Sequence, residues 1–162
     1  MRTLKKVSIY TDGACSGNPG QGGYGVVLIC GENRKELSAG YRRTTNNRME
    51  LLAAITGLKA LKYPCEVTIF SDSKYLVENY TQGYVFRWQK DNWMRGAKKK
   101  EPVKNSDLWQ ELLQLCKAHK VNFVWVKGHA SNAENNRCDN LAVAASQGAN
   151  LLVDERFEAC GA

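Results

Sequence analysis

Four acidic residues have the side-chain type that binds divalent metal ions, and each is predicted to lie where a strand ends or a helix turns inward. They are Asp12, Glu50, Asp72 and Asp139. The chain around them is basic, because 23 Lys and Arg outnumber 16 Asp and Glu and give a net charge of +7. A carboxylate cluster inside a basic protein predicts a metal site that meets a polyanion such as nucleic acid.

Each of these carboxylates also has a simpler interpretation. Asp12 precedes a glycine and is typical of a turn, whereas Asp72 is typical of a helix cap. Glu50 is harder to dismiss, although near the start of a predicted helix it would offset the helix dipole. Asp139 follows the inward-facing Cys138 in an otherwise apolar turn, where a buried unpaired carboxylate is costly.

The spacing of the apolar residues predicts three strands, followed by alternating helices and strands. The first three strands are joined by short turns and are expected to form an antiparallel meander. Helices separate the later strands, which indicates parallel pairing. The predicted strands cover 4–11, 23–30, 35–42, 66–70 and 121–126, and the clearest helices cover 46–62 and 133–147. The simplest solution is one α/β domain, residues 1–162, in which a mixed five-stranded sheet carries helices on both faces.

The connecting segments carry more specific expectations. The glycine-rich run 13–23 is predicted to be a turn. Ser71 or Asp72 is expected to cap the helix after the fourth strand, and Ser106 is expected to cap the next one. Two stretches are predicted to lack most regular structure, the basic segment 82–104 and the tail 149–162.

The predicted sheet would bring the carboxylates together. If the first and fourth strands are parallel neighbours, Asp12 and Asp72 emerge at the same carboxyl edge, where α/β sheets place their sites. Four carboxylates there would repel one another unless cations balanced their charge. Hard oxygen ligands without His or Cys favour Mg²⁺ or Mn²⁺. Two such ions about 4 Å apart can activate a water molecule and stabilise the leaving oxygen in phosphoryl displacement.

The acidic residues lie in motifs that closely resemble those of bacterial ribonuclease HI, the type 1 ribonuclease H family. The matching segments span residues 4 to 147 and are, in order, Tyr-Thr-Asp12-Gly-Ala-Cys-Ser-Gly-Asn-Pro-Gly, Thr-Thr-Asn-Asn-Arg-Met-Glu50-Leu, Ser-Asp72-Ser, Trp-Val-Lys-Gly-His129-Ala and Asn-Arg-Cys-Asp139. The resemblance implies the ribonuclease H-like fold, with sheet order 3-2-1-4-5. It also implies hydrolysis of the RNA strand of an RNA–DNA hybrid, which leaves 5′-phosphate and 3′-hydroxyl ends.

The resemblance assigns roles to the candidate catalytic residues. It implies that Asp12, Glu50, Asp72 and Asp139 are the metal ligands, with two ions present when substrate is bound. It further implies that Asp12 bridges both ions and that Glu50 also reaches the ribose 2′-hydroxyl beside the scissile phosphate, which would select RNA. A lone loop histidine is usually an ordinary surface residue, but the resemblance implies that His129 assists proton transfer at the leaving group.

The basic segment 82–104 is predicted to bind the hybrid. It contains seven cationic and two acidic side chains, a net charge of +5, with four aromatic residues interleaved. Cations interleaved with aromatics favour a surface that follows a phosphate backbone, although a solvated charge run beside core aromatics, with Trp93 among them, is the alternative. The resemblance implies that this protrusion binds the DNA strand, and the residues expected to contact substrate are Trp88, Lys90, Lys98 and Lys99. The chain departs from the best-known bacterial pattern in this segment, and also at Lys74, where a glutamine is common.

Further substrate contacts are expected beside the acidic residues. Asn18, Asn46 and Asn47 are amides that could read minor-groove edges and 2′-hydroxyls. Arg43 and Thr45, together with Asn18, resemble a pocket for a DNA-strand phosphate. Thr45, Asn46 or Asn47 is also expected to cap the first helix. Cys15 is expected to pack beside the RNA strand.

Two other functions are compatible with a chain of this kind. A non-catalytic hybrid-binding module would have lost a carboxylate, and all four are present. A related polynucleotidyl transferase, such as an integrase or resolvase core, would share the fold and acidic site but not the Asn-Asn-Arg-Met-Glu and Gly-His-Ala segments together.

The six cysteines are scattered, without a Cys-x-x-Cys pair, which favours reduced thiols over a zinc site or a disulfide framework. No stretch has the length or character of a membrane span or a signal peptide. We therefore expect a cytoplasmic protein that does not act at a membrane. A monomer is expected as well, because no apolar stripe remains unassigned.

Overall fold

A mixed five-stranded sheet forms the centre of the computed structural model, which describes residues 3–128 and 132–161. Its strands are β1 (Lys5–Gly17), β2 (Gly20–Cys30), β3 (Asn33–Thr44), β4 (Cys65–Ser71) and β7 (Lys120–Trp125). Their order is β3-β2-β1-β4-β7. The β3–β2 and β2–β1 pairs are antiparallel, whereas the β1–β4 and β4–β7 pairs are parallel. The predicted sheet and its order are thus confirmed.

Six helices and a small second ladder complete the fold in the described residues. The helices are α1 (Asn46–Lys59), α2 (Lys74–Thr81), α3 (Tyr84–Lys90), α4 (Ser106–Lys117), α5 (Ala133–Ser146) and α6 (Glu155–Cys160). Strands β5 (Met94–Arg95) and β6 (Glu101–Pro102) pair with each other, apart from the main sheet. None of the helices in these residues is long and apolar enough to cross a membrane.

Different helices cover the two faces of the sheet. Neighbouring side chains of a strand point to opposite faces, so each face has its own set of contacts. On one face, a Cβ at Gly57 of α1 would touch Ile9 and Val26. On the other face, α5 lies so close that a Cβ at Gly25, the neighbour of Val26, would collide with a carbonyl oxygen of Cys138. Helices therefore lie on both sides of the sheet, as predicted.

The glycine-rich run 13–23 was wrongly predicted to be a turn. Here β1 and β2 continue as a long hairpin whose pairing runs to Gly17 and Gly20, with the turn confined to the two residues between them. The glycines at Gly23 and Gly25 serve close packing, because α5 crosses directly above them. Composition alone does not distinguish a glycine needed for a turn from one needed beneath a helix.

The helix starts differ from two expectations. Thr45 caps α1, since its hydroxyl accepts a hydrogen bond from Arg48 N at 3.3 Å. Helix α2 is capped by Ser73, and neither Ser71 nor Asp72 has that role. Helix α4 begins at Ser106 itself, after Asn105, which has a φ of 62° and provides no side-chain cap.

Two segments that were predicted to be irregular contain regular structure. The basic segment 82–104 includes α3 and the β5–β6 ladder, and the buried Val85 anchors α3 to the core. The tail contains α6 and a short parallel pairing of Leu152 with Tyr41 at the open edge of β3. Leu152 N donates to the Gly40 carbonyl at 2.8 Å, and Arg42 N donates to the Leu152 carbonyl at 2.9 Å. The tail therefore extends the sheet at its edge.

All six cysteines are free thiols, as expected from their spacing. Cys65, Cys116 and Cys138 are buried, whereas Cys160 is exposed.

Candidate active site

The carboxyl edge of the β1–β4 pair carries two of the predicted site residues. Parallel pairing between these strands ends at Tyr10 and Phe70, and Asp12 and Asp72 lie just beyond it. The prediction that Asp12 ends β1 is wrong, because the strand continues to Gly17 in antiparallel pairing with β2. It lies where the parallel ladder stops, so its side chain still emerges at the edge that was predicted.

Three carboxylates meet at this edge. One oxygen from each of Asp12, Glu50 and Asp72 lies within 4.8 Å of the other two. Glu50 reaches the edge from the first turns of α1, where a Cβ at Gly13 would be only 2.8 Å from the Glu50 main-chain nitrogen. The glycine after Asp12 is therefore needed for α1 to approach β1 this closely.

The fourth carboxylate, Asp139, reaches the site from α5. It lines the same pocket of about 370 Å³ as the other three but is not part of their tight group. The pocket is otherwise polar, and its other lining residues are Gly13, Asn46, Asn47, Ser73, Lys74 and Tyr75. The structure thus brings together all four acidic residues that the sequence pointed to.

The electrostatics of the site favour a bound cation. Burial, followed by repulsion from Asp72 and Asp139, raises the pKa of Asp12 to about 9. Burial and repulsion from Asp12 also raise the pKa of Glu50 well above its ordinary value. None of the ion pairs among the described residues involves one of the four carboxylates. Within residues 3–128 and 132–161, the cluster therefore has no ion-pair partner.

A divalent metal ion fits the atoms that are present. Glu50 Oε1 is buried and accepts no hydrogen bond from any group in the described part of the chain, so it is an acceptor open to a metal ion. Asp12 Oδ1 accepts a hydrogen bond from Gly13 N at 3.0 Å, which fixes the orientation of that carboxylate. A set of carboxylate oxygens without nitrogen or sulfur is the ligand set of hard cations such as Mg²⁺ and Mn²⁺.

Asp72 is available for this role because a neighbour caps the helix. Ser73 Oγ accepts from Leu76 N at 3.1 Å, so the carboxylate of Asp72 is not needed at the start of α2. The indole N–H of Trp125 donates to the main-chain carbonyl of Asp72 at 3.1 Å. The simpler interpretation of Asp72 as a helix cap is therefore wrong.

Asn135 is a residue of the site that the sequence motifs did not reveal. Its side-chain N–H groups donate to the carbonyls of Thr11 and Phe70, both at 3.3 Å, and so connect α5 to β1 and β4. Those carbonyls lie one residue before Asp12 and two before Asp72. The available signal was the spacing, since Asn135 lies four residues before Asp139 and thus on the same helix face.

Several of the residues that were predicted to contact substrate lie together near the carboxylates. Asn18 Oδ1 accepts a hydrogen bond from Asn46 N at 3.0 Å, and Asn46 and Asn47 line the acidic pocket. The Cys15 thiol donates to the Thr44 carbonyl at 3.5 Å, which places it under the segment leading into α1. Thr45 is the residue that caps α1, so the side chains of Asn46 and Asn47 are not needed for that role.

Arg43 lies away from the acidic pocket. It lines a separate cavity of about 350 Å³ together with Phe157, Glu158 and Gly161 of the tail. Its neighbour Arg42 forms a bidentate pair with Glu158, at 2.8 and 2.9 Å. The tail therefore neutralises Arg42 and forms one wall of the cavity beside Arg43.

The predicted residues of the basic segment divide into two groups. Trp88 is half-buried and packs edge-on against the core residue Trp109, although it also lines a surface cavity with Arg87, Arg95 and Lys99. Lys90, Lys98 and Lys99 are exposed, and Lys99 Nζ lies 3.0 Å from Asp91 Oδ2. Trp93 also packs against the core, in agreement with the simpler interpretation of that residue.

The predicted proton-transfer residue His129 lies outside the described residues. The last described residue before it is Gly128, and a Cβ there would lie 2.7 Å from Asp72 Oδ2. The chain that leads into His129 thus passes directly beside one of the four carboxylates.

Comparison with known proteins identifies the family of this chain. The sequence model of the RNase H family matches residues 4–147. The chain belongs to the ribonuclease H family. It is 60% identical to the ribonuclease H of Rippkaea orientalis over 154 residues, covering 95% of this chain and 93% of that protein. It is 58% identical to the ribonuclease H of Desulforamulus reducens over 153 residues, covering 94% and 95% of the two chains.

Solved ribonuclease H structures share the fold. The crystal structure of LC9-RNase H1, a type 1 RNase H with the type 2 active-site motif, superposes with a TM-score of 0.82 at 31% identity, covering 100% of this chain and 83% of that one. LC11-RNase H1, solved in complex with an RNA/DNA hybrid, gives a TM-score of 0.64 at 26% identity and covers 86% of this chain and 95% of its own. The family and fold that the motifs implied are therefore confirmed.

Proposed function

We propose that this ribonuclease H hydrolyses the RNA strand of RNA–DNA hybrids at the pocket formed by Asp12, Glu50, Asp72 and Asp139. The observation that carries the proposal is the group of three buried or half-buried carboxylates within 4.8 Å of one another. Such a group is stable only when cations balance it or when protons neutralise it. The relative solved with a bound RNA/DNA hybrid supports the choice of substrate.

The reaction is a displacement at phosphorus. The oxygen of an attacking water forms the new P–O bond and the water gives up one proton to solvent. The bond between phosphorus and the ribose 3′-oxygen breaks and that oxygen takes up a proton, which gives a 5′-phosphate and a 3′-hydroxyl. Bound Mg²⁺ or Mn²⁺ supplies the Lewis acidity that makes water a better nucleophile and stabilises the charge developing on the phosphate. We propose two ions in the substrate complex.

The residues of this chain have distinct duties in that scheme. Asp12, whose carboxylate is oriented by the Gly13 N–H, is proposed as the ligand that both ions would share. Glu50 has an unused buried oxygen and is proposed to contact the ribose 2′-hydroxyl as well as an ion. Asp72 and Asp139 complete the ligand set, and His129 is proposed to move the proton at the leaving oxygen.

The hybrid would lie across the acidic pocket with its DNA strand toward the basic segment. We propose contacts from Cys15, Asn18, Asn46 and Asn47 beside the pocket, and from Arg43 and Thr45 at the end of β3. The basic segment would contribute Trp88, Lys90, Lys98 and Lys99. These three lysines are exposed and the net charge of the segment is +5, which supports a phosphate-tracking surface. We further propose that residues 1–162 act as one domain, as a monomer, in the cytoplasm.

Cleavage of end-labelled substrates tests this proposal and separates it from the alternatives. RNA–DNA hybrid, duplex RNA and duplex DNA are incubated with the protein and Mg²⁺, with and without EDTA. We expect only the RNA strand of the hybrid to be cut, and only without EDTA. Cleavage of DNA would favour a polynucleotidyl transferase, binding without cleavage would favour a hybrid-binding module, and cleavage in EDTA would contradict a metal site.

A further inference from the structure

A lysine lies at the rim of the acidic pocket without an ion-pair partner among the described residues. Lys74 is the first residue of α2, immediately after the Ser73 cap, and it lines the same pocket as the four carboxylates. Its ammonium group forms none of the ion pairs found in these residues, although the pocket is strongly acidic.

An aromatic ring holds this ammonium group at the rim. Lys74 Nζ lies 5.2 Å from the ring centroid of Trp125, which is 42% exposed. The ring is itself fixed to the site, because its indole N–H donates to the Asp72 carbonyl at 3.1 Å. A cation over the face of tryptophan is attracted by the ring quadrupole, so Trp125 favours a position of Lys74 beside the carboxylates instead of on them.

A fixed positive charge at this position acts on two ligands in opposite directions. It repels a divalent cation that approaches Asp72 and Asp12, and so weakens metal binding in the free protein. It attracts a phosphate adjacent to the scissile one when an RNA strand enters the pocket.

From these observations we propose that Lys74, held over Trp125, couples substrate to metal. It lowers the affinity of the free protein for divalent ions, and it contacts an RNA-strand phosphate next to the scissile bond. Once that phosphate neutralises the ammonium group, the repulsion of the metal ion is relieved. The inference rests on the proposed function, because it requires the RNA strand to lie in the acidic pocket.

The first experiment measures metal affinity without nucleic acid. Metal-free wild-type protein and the variants Lys74→Gln and Lys62→Gln are titrated with Mn²⁺ by calorimetry. Lys62 is an exposed lysine just before β4, at the opposite end of that strand from Asp72, and its substitution changes the net charge equally. We expect Lys74→Gln to bind Mn²⁺ roughly threefold to tenfold more tightly than the wild type, from the loss of one nearby charge, with Lys62→Gln unchanged.

The second experiment measures hybrid binding without metal. Affinity for a short RNA–DNA hybrid is determined in EDTA over a range of NaCl concentrations. We expect Lys74→Gln to bind the hybrid more weakly and to reduce the slope of log affinity against log salt by about one, the value for one lost phosphate contact. Lys62→Gln should leave both quantities unchanged.

Substitution of the ring tests its part in the mechanism. Trp125→Phe retains an aromatic face, whereas Trp125→Leu removes it and allows Lys74 to swing onto Asp72. We expect Trp125→Leu to bind Mn²⁺ more weakly than the wild-type protein does, and Trp125→Phe to bind it as tightly as the wild type. The additional loss should disappear when Lys74→Gln is combined with Trp125→Leu.

Several results would overturn the proposal. These are Mn²⁺ affinity in Lys74→Gln that is unchanged or weaker, an unchanged salt slope, or the same metal affinity in both Trp125 variants. Neither experiment depends on cleavage, so failure of the proposed nuclease activity would be recognised separately, by a wild-type protein that leaves the hybrid intact.

Discussion

Arg48 and Asp154 form a buried ion pair, with Nε 2.7 Å from Oδ2, that connects the start of α1 to the C-terminal tail. Arg48 is 1% exposed and also pairs with Asp107 of α4, at 2.8 and 2.9 Å. Asp154 accepts a further hydrogen bond from the Thr44 hydroxyl at 2.8 Å. One guanidinium group thus fixes β3, α1, α4 and the tail relative to one another, two residues from the proposed ligand Glu50.

Arg48→Met should destabilise the protein strongly. The change leaves the buried Asp154 and the half-buried Asp107 without their cation, and we expect a loss of about 3–5 kcal/mol in the free energy of unfolding. Urea unfolding at pH 7 measures it. The matched comparison is Arg42→Met, which removes only the exposed pair with Glu158 and should have little effect. Equal losses in the two variants would contradict this role for Arg48.

Asn135→Ala should weaken metal binding as well as stability. The side chain connects α5 to the strands that carry Asp12 and Asp72, so its loss should loosen the spacing of the ligands. We expect a decrease of about 1–3 kcal/mol in unfolding free energy and a roughly tenfold loss in Mn²⁺ affinity. Asn140→Ala, an exposed change on the same helix, is the control. A loss of stability with unchanged metal affinity would show that Asn135 does not position the ligands.

Metal binding should release protons near neutral pH. Burial and mutual repulsion raise the pKa of Asp12 to about 9 and that of Glu50 above its ordinary value, so the metal-free site holds protons at pH 7. A cation displaces those protons, and the apparent affinity should therefore rise with pH up to about 9. Calorimetry in two buffers with different ionisation enthalpies counts the protons. Binding without proton release would mean that the carboxylates are already ionised.

His129→Ala should lower turnover without abolishing it. A group that assists proton transfer at the leaving oxygen contributes roughly a hundredfold, whereas the metal ligands provide the rest of the catalysis. Steady-state cleavage of a labelled hybrid measures the effect, and the KM should change little. A loss as large as that of Asp12→Asn would contradict an auxiliary role for His129.

Much of the fold follows from local sequence patterns. Alternation in the first strand, the β-forming run 23–30 and the helical spacing from Leu51 to Leu58 predicted two strands of the sheet and α1, because each element buries apolar side chains. The sequence did not show that Ser73, and not Asp72, would cap α2, since both residues can accept the same hydrogen bond. Only the three-dimensional path of the chain decides between them.

The elements that were missed depend on distant partners. Helix α3 is seven residues long, begins after a glycine with a φ of 81° and is held by one buried valine, so its pattern is too short to be recognised. The tail has no strong periodicity, and its position depends on Asp154 meeting Arg48, which lies 106 residues earlier in the chain. Asn135 likewise acts through carbonyl groups of two remote strands, which a motif does not reveal.

The central claim is that the acidic pocket performs metal-dependent cleavage of the RNA strand, and single-turnover cleavage by Asp12→Asn tests it most directly. With enzyme in excess over an end-labelled RNA–DNA hybrid in Mg²⁺, we expect a cleavage rate roughly a thousandfold below that of the wild type, or about 4 kcal/mol of lost transition-state stabilisation. Hybrid binding in EDTA should be retained, because the contacts of the basic segment are unchanged. A cleavage rate within about tenfold of the wild type would contradict the account.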